Sequence, residues 1–302
     1  MPLPELSKRD RQIKQLLDGL VLQHKTLDFV ADDPLSIPYR FKTNSKACEL
    51  TAFLSALFTY GQRPKIIALL NNLMQAMDND PGGFIENFNP VHDAKLFDSF
   101  VYRFNTGEDI VFLLACLQRA YKEYGSLEAL FAAHKEDDLK GSIGGFLDTL
   151  TGTRKPHARY GLKFLFAHPQ HGGPCKRFNL FLKWVVRDHP DLGLWQQTLK
   201  PSELMIPLDT HVLKTNRILG LSKRKSPDWQ TAFEITQTLS RYNPKDPIAY
   251  DYALMGLGLA LNRHHAGKGA RKRPTLAQLL NEPADAHSGN CLLTTSAVGL
   301  SV

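Results

Sequence analysis

The sequence predicts an all-α fold. Three observations carry the prediction. Apolar residues recur at helical spacing along nearly the whole chain, period-two alternation is missing over any useful length, and helix start and stop signals fall at the ends of the apolar stretches. With 302 residues, 43% of them hydrophobic and 22% charged, the chain has material for a sizeable core, as one large domain or two modest ones.

The elements follow in order. Ile13, Leu16, Leu17, Leu20 and Val21 form one stripe, and residues 47–60 and 66–77 give two strongly apolar helices. Residues 79–90, rich in Asn, Gly and Pro, read as irregular. Thr106-Gly107-Glu108-Asp109 reads as a capping box opening a helix over 109–121, whose run from Ile110 to Leu117 is apolar on all sides and so predicts a buried helix. Residues 168–174, His-Pro-Gln-His-Gly-Gly-Pro, break the pattern. Helices are then expected over 178–186, 211–219, 229–239 and 249–261. Ser226-Pro227 and Asp246-Pro247 each put a cap residue before a first-turn proline, and Gly61, Gly125, Gly152 and Gly220 stand where helices should stop. Beyond Asn262 the chain turns basic and glycine-containing through Arg273, with a short helix expected at 276–281 and a loosely ordered end.

Bulk properties narrow the function classes. The net charge of +7 favours polyanionic partners, because phosphate contacts release counterions. No apolar run is long enough to span a bilayer, and residues 1–11 are polar and unlike a secretory signal. Cys48, Cys116, Cys175 and Cys291 are scattered, which argues against a disulfide framework or an iron–sulfur cluster. A cytoplasmic protein with reduced thiols is expected. His168 with His171, and His264 with His265, lack a carboxylate or cysteine at ligand spacing, so neither a metal nor another cofactor is expected.

Three stretches could carry chemistry. In Pro207-Leu208-Asp209-Thr210-His211, Asp209 stands directly before an apolar helix. It reads first as an N-cap, and a capping carboxylate keeps lone pairs that can face a cleft. In Gly172-Gly173-Pro174-Cys175-Lys176-Arg177-Phe178-Asn179, Lys176 opens a helix after a glycine loop. Backbone N–H groups there can approach a phosphate, and the helix-start dipole disfavours the ammonium of a side chain that otherwise titrates near ~10.4. Cys175 beside Lys176 is a thiol that a neighbouring cation would activate, but no base is committed to it. In the third stretch, Gln62 and Arg63 follow Gly61 at a turn suited to bases or sugar–phosphate, or serving only to join two helices.

Taken together, these stretches resemble the helix-hairpin-helix DNA glycosylase superfamily. Leu54-Ser55-Ala56 followed by Gln62 is similar to its early helix, and Pro207-Leu208-Asp209-Thr210-His211-Val212 to its motif with the essential aspartate. The resemblance implies Asp209 as catalytic aspartate and Lys176 as Schiff-base lysine, with Lys183 as competitor. Their separation is closest to that of the archaeal 8-oxoguanine glycosylases. Gln62 would fill the space left by a flipped base. Arg63, Gly172, Gly173, Arg177 and Asn179 would hold DNA, with His211 orienting the site. The Leu-Pro-Gly-Val-Gly hairpin is replaced by His171-Gly172-Gly173-Pro174. From the first helix to Asn262 the chain also resembles an uncharacterised bacterial family with similar Gly-Gln-Arg, Cys-Lys-Arg and Pro-Leu-Asp-x-His signatures.

The implied architecture is two helical lobes around a basic cleft within residues 1–262, followed by a basic tail over 263–302. One lobe comes from the middle of the chain, and the other joins the N-terminal helix to the helices after the hairpin. The implied function is excision of a damaged base from double-stranded DNA, an oxidised purine being one candidate, with strand cleavage at the abasic site where a Schiff base forms. The alternative is a non-catalytic helical module that keeps the fold and binds DNA or structured RNA. A monomer is expected.

Overall fold

Why the helices form where they do is set by their caps. In the computed structural model, which describes residues 5–153 and 158–266 together with Leu276 and Leu279, α1 (Lys8–His24) opens on a reciprocal box between Ser7 and Asp10. Two short turns, α2 (Leu27–Ala31) and α3 (Ser36–Tyr39), lead to α4 (Ser45–Leu57), capped by Asn44. Then come α5 (Arg63–Ala76) and α6 (Pro81–Asn87). The Thr106 box starts α7 (Gly107–Tyr124), which Gly125 ends in a left-handed conformation. After it run α8 (Leu127–Ala133), α9 (Leu139–Thr151), α10 (Tyr160–Leu165) and α11 (Lys176–Val186). The last three are α12 (Thr210–Leu219), α13 (Trp229–Tyr242) and α14 (Asp251–Ala266). The all-α expectation holds. Its one exception among the described residues is a small hairpin, β1 (Val101–Tyr102) against β2 (Asn105–Thr106).

Packing sorts the helices into two sets. α14 lies against α1 and α12, while α13 meets the turn that opens α14. Gly258 makes the α12 contact possible, since a Cβ there would come within 3.1 Å of the His211 Cα. In the other set α4 is central, packing on α3, α6 and α11, with α7, α8 and α9 around it. A continuous buried core runs through both sets, from Leu17 and Leu20 to Phe53, Leu113, Trp184 and Leu254.

Four local expectations are corrected. The helix buried on every side is α4, from Ala47 to Leu57, whereas Val111, Phe112 and Ala115 of α7 remain half-buried. Residues 79–90 contain α6, because Asp80 caps it through Gly83 N–H at 3.0 Å and Pro81 fits its first turn. α13 starts after Asp228, not Ser226, since the Asp228 carboxylate takes the Thr231 N–H at 2.8 Å. Asp246-Pro247 opens a 3-10 turn that precedes α14. α14 runs on to Ala266. Leu276 and Leu279 pack on the core, and the rest of the expected helix at 276–281 and of the basic tail lies outside the described residues.

Candidate active site

A cavity of about 860 Å³ opens between the two sets of helices. Its walls come from the turn before α3, the α4–α5 connection, α10, α11, the start of α12 and the start of α14. Five cations line it (Arg63, Lys163, Lys176, Arg177, Lys183) against three carboxylates (Asp33, Asp209, Asp251), so the cleft is basic by balance but mixed in character.

Lys176 is the first residue of α11, and its backbone is set by an unusual cap. Cys175 holds a left-handed conformation, φ 46° and ψ 38°, which a residue with a Cβ rarely adopts. The buried Cys175 thiol donates to the Ala167 carbonyl at 3.2 Å and so helps pin that turn. The Lys176 amine then reaches across the cavity and donates to the Thr59 carbonyl at 3.1 Å. Burial pushes its pKa down, and the neighbouring Arg177 charge acts the same way. The carboxylates of Asp209, Asp251 and Asp33 act against both, and the net shift is downward.

Asp209 is the N-cap of α12. Both capping bonds, from the N–H groups of His211 and Val212 at 2.8 Å, fall on Oδ1. The carboxylate is therefore fixed in place through one oxygen while lining the same cavity as Lys176. His211 follows it on the cavity wall.

Lys183 also lines the cavity, but its ammonium lies 2.6 Å from Asp251 Oδ2, with both side chains buried, and 3.8 Å from the centre of the Tyr252 ring. Arg177 is committed to the wall itself. Its guanidinium covers the Phe164 ring at 3.9 Å, donates to the Phe164 carbonyl at 2.5 Å, and is lowered by burial to about 10.

The other expected contacts divide, with Arg63 on the cavity wall and Gln62, Gly172, Gly173 and Asn179 outside the lining. Asn179 is buried and donates to the Pro174 carbonyl at 3.0 Å, so it presents nothing to a phosphate. Gly172 closes a 3-10 turn, its N–H bonded to Pro169 O at 3.1 Å, and Gly173 likewise lies outside the lining. Gln62 is exposed at the start of α5, between the lining residues Gly61 and Arg63. Arg63 stands with Nε 3.9 Å from Asp33 Oδ2. The Cys175 thiol is pushed up to about 12 by burial, which overrides the cations beside it. His168 lies 3.4 Å from Asp148, and among the described residues no group of His, Cys, Asp and Glu is arranged to hold a metal ion.

The sequence reading missed Asp33, Asp251 and the aromatic wall of Tyr60, Phe164 and Tyr252. Burial pushes the Asp33 carboxyl up, with Arg63 opposing. Its only sequence signal is Asp33-Pro34, the same pairing as at Asp246-Pro247.

Residues 33–260 match DUF2400, a protein family of unknown function. The chain belongs to this family. The matched segment starts at Asp33 and runs through Lys176 and Asp209 to α14, so every wall of the cavity but Val30 lies within it. No curated protein matches the chain, and no solved structure does. Among the described residues no helix is long and apolar enough to cross a membrane.

Proposed function

We propose that this DUF2400 chain is a DNA base-excision glycosylase of the helix-hairpin-helix kind, with Lys176 as nucleophile and Asp209 as electrostatic partner. One observation carries the reading: a desolvated lysine amine and a rigidly capped aspartate share one cavity. A lowered amine pKa gives a larger neutral fraction at physiological pH, which nucleophilic attack requires. The cavity falls within the size range of small-ligand pockets, roughly 300–1,000 Å³, and has room for a nucleoside turned out of the stack.

In the reaction that follows, the neutral Lys176 amine attacks C1′ and the glycosidic bond breaks. The base departs with the bonding pair and takes up a proton, and the amine gives up a proton to solvent. The Asp209 carboxylate stabilises the positive charge that builds on the sugar. O4′ takes up a proton from solvent and leaves C1′, so that the sugar ring opens to a protonated Schiff base on Lys176, and loss of a C2′ proton then expels the 3′ phosphate. Water hydrolyses the imine and frees the lysine. Lys183 is a poor nucleophile by comparison, because its ammonium is locked to Asp251.

A panel of duplexes, each carrying one damaged base, tests the reading by base release and strand incision. The expected result is release from at least one lesion, lost by at least a hundredfold in Asp209→Asn. Salt-sensitive binding without release from any lesion would move the protein to the non-catalytic binding reading.

A further inference from the structure

The β1–β2 hairpin before α7 stands next to α10, and between them they leave two aromatic side chains largely exposed. Phe104 at the hairpin tip is 41% exposed, and Tyr160, which opens α10, is 62% exposed. Their rings meet edge to face, centroids 5.1 Å apart. Phe104 also meets Phe164 at 5.0 Å, and Phe164 meets Tyr60 at 4.9 Å. A continuous run of aromatic rings therefore leads from the surface to the cavity wall, where Tyr160, Phe164 and Tyr60 are all lining residues.

The base of the hairpin is anchored. The Tyr102 hydroxyl donates to the Tyr60 carbonyl at 2.5 Å, and the Tyr60 hydroxyl donates to Asn105 Oδ1 at 2.5 Å. Asn105 is itself buried and donates to Asp109 at 3.1 Å. The tip is thus held at a fixed place beside the cavity mouth.

Charge decides what the exposed rings fit. Arg103, at positive φ, sets its guanidinium 5.6 Å from the Phe104 ring centre. Lys163 stands one turn after Tyr160, on the same face of α10. Neither Arg103 nor Lys163 pairs with a carboxylate among the described residues, whereas Arg159 close by is taken up by Glu108 and by Asp109 at 3.0 Å. Two exposed aromatic side chains, flanked by two cations without a carboxylate partner among the described residues, match the two halves of a nucleotide, base and phosphate.

We infer that Phe104 and Tyr160 form a stacking site for an unpaired nucleobase beside the cavity, with Arg103 and Lys163 on its phosphates. The inference rests on the nucleic-acid reading above and adds a second contact that the reading does not require.

Fluorescence anisotropy with a 16-nucleotide single strand and its duplex tests it. Phe104→Ala/Tyr160→Ala is expected to bind the single strand about tenfold more weakly, as loss of one base stack implies, with duplex affinity less affected. Arg103→Ala/Lys163→Ala is expected to flatten the salt dependence instead. Phe104→Tyr/Tyr160→Phe should bind as the parent does. Circular dichroism checks that each variant is folded. If the parent binds DNA and the alanine pair binds single strands equally well, the stacking site is overturned while the glycosylase reading stands. If the parent binds no oligonucleotide, both fall. A concentration-dependent dimer that the alanine pair abolishes would make a second copy of the chain the occupant, and would also overturn the inference.

Discussion

The Lys183 ammonium lies 2.6 Å from Asp251 Oδ2, in a pair from which water is almost wholly excluded. Lys176, two turns earlier on the same helix, has a carbonyl oxygen of Thr59 as its hydrogen-bond acceptor instead. The difference separates a lysine held in a buried ion pair from one whose amine meets a neutral acceptor. The Lys183 ammonium is committed to a buried carboxylate, whereas the neutral carbonyl beside Lys176 does little to offset the desolvation of its amine.

Removing one member of the buried pair should be costly. Lys183→Met strands the Asp251 carboxylate, and a loss of about 3–5 kcal/mol is expected. Lys183→Met/Asp251→Leu should recover much of it, because no charge is then left alone. Urea unfolding of the two single variants and the double variant measures this. Additive losses would contradict the pairing.

The lowered pKa of Lys176 has a testable sign. Its neutral form is favoured by burial and by Arg177 and opposed by Asp209. Competitive reductive methylation, mapped by mass spectrometry across pH, should place its midpoint below the ~10.4 of an ordinary lysine. Asp209→Asn should move the midpoint lower still, and Arg177→Met should move it up. A rise in Asp209→Asn would contradict the electrostatics described.

Much of the fold was legible in the sequence because helix signals are local. The Thr106 box, the stop at Gly220 and the Asp209 cap all appear as read. Three misreadings were of which residue caps a turn, at Asp80, Asp228 and Asp246; the fourth arises because composition says how apolar a stretch is but not what covers it. The run from Ile110 to Leu117 is as apolar as a buried helix, yet α4, which carries Glu49, Thr51 and Ser55, is the one enclosed. Glu49 is tolerated there because it accepts hydrogen bonds from Tyr121, Trp195 and the N–H groups of Leu127 and Glu128. No spacing rule predicts such partners, which come from residues 72 to 146 positions away.

The site was half legible for the same reason. Asp209 and Lys176 stand at helix starts, which sequence signals mark. Asp33 and Asp251 reach the cavity only through tertiary packing, and Asn179 looked available until its helix face proved to be the buried one.

The thiols supply a prediction free of any functional reading. Cys48, Cys116 and Cys175 are buried, and burial pushes them up to about 11, 11 and 12. Iodoacetamide at pH 8 should leave all three unlabelled in the native protein and label them in urea. Native labelling of Cys175 would show that the turn before Lys176 is open to reagent.

Borohydride trapping on duplex DNA with an abasic site, followed by peptide mapping of the adduct, tests the central claim most directly. The account predicts a covalent adduct on Lys176 that disappears in Lys176→Gln and persists in Lys183→Gln wherever that variant folds. An adduct mapped to another amine, or one that survives in Lys176→Gln, would contradict it.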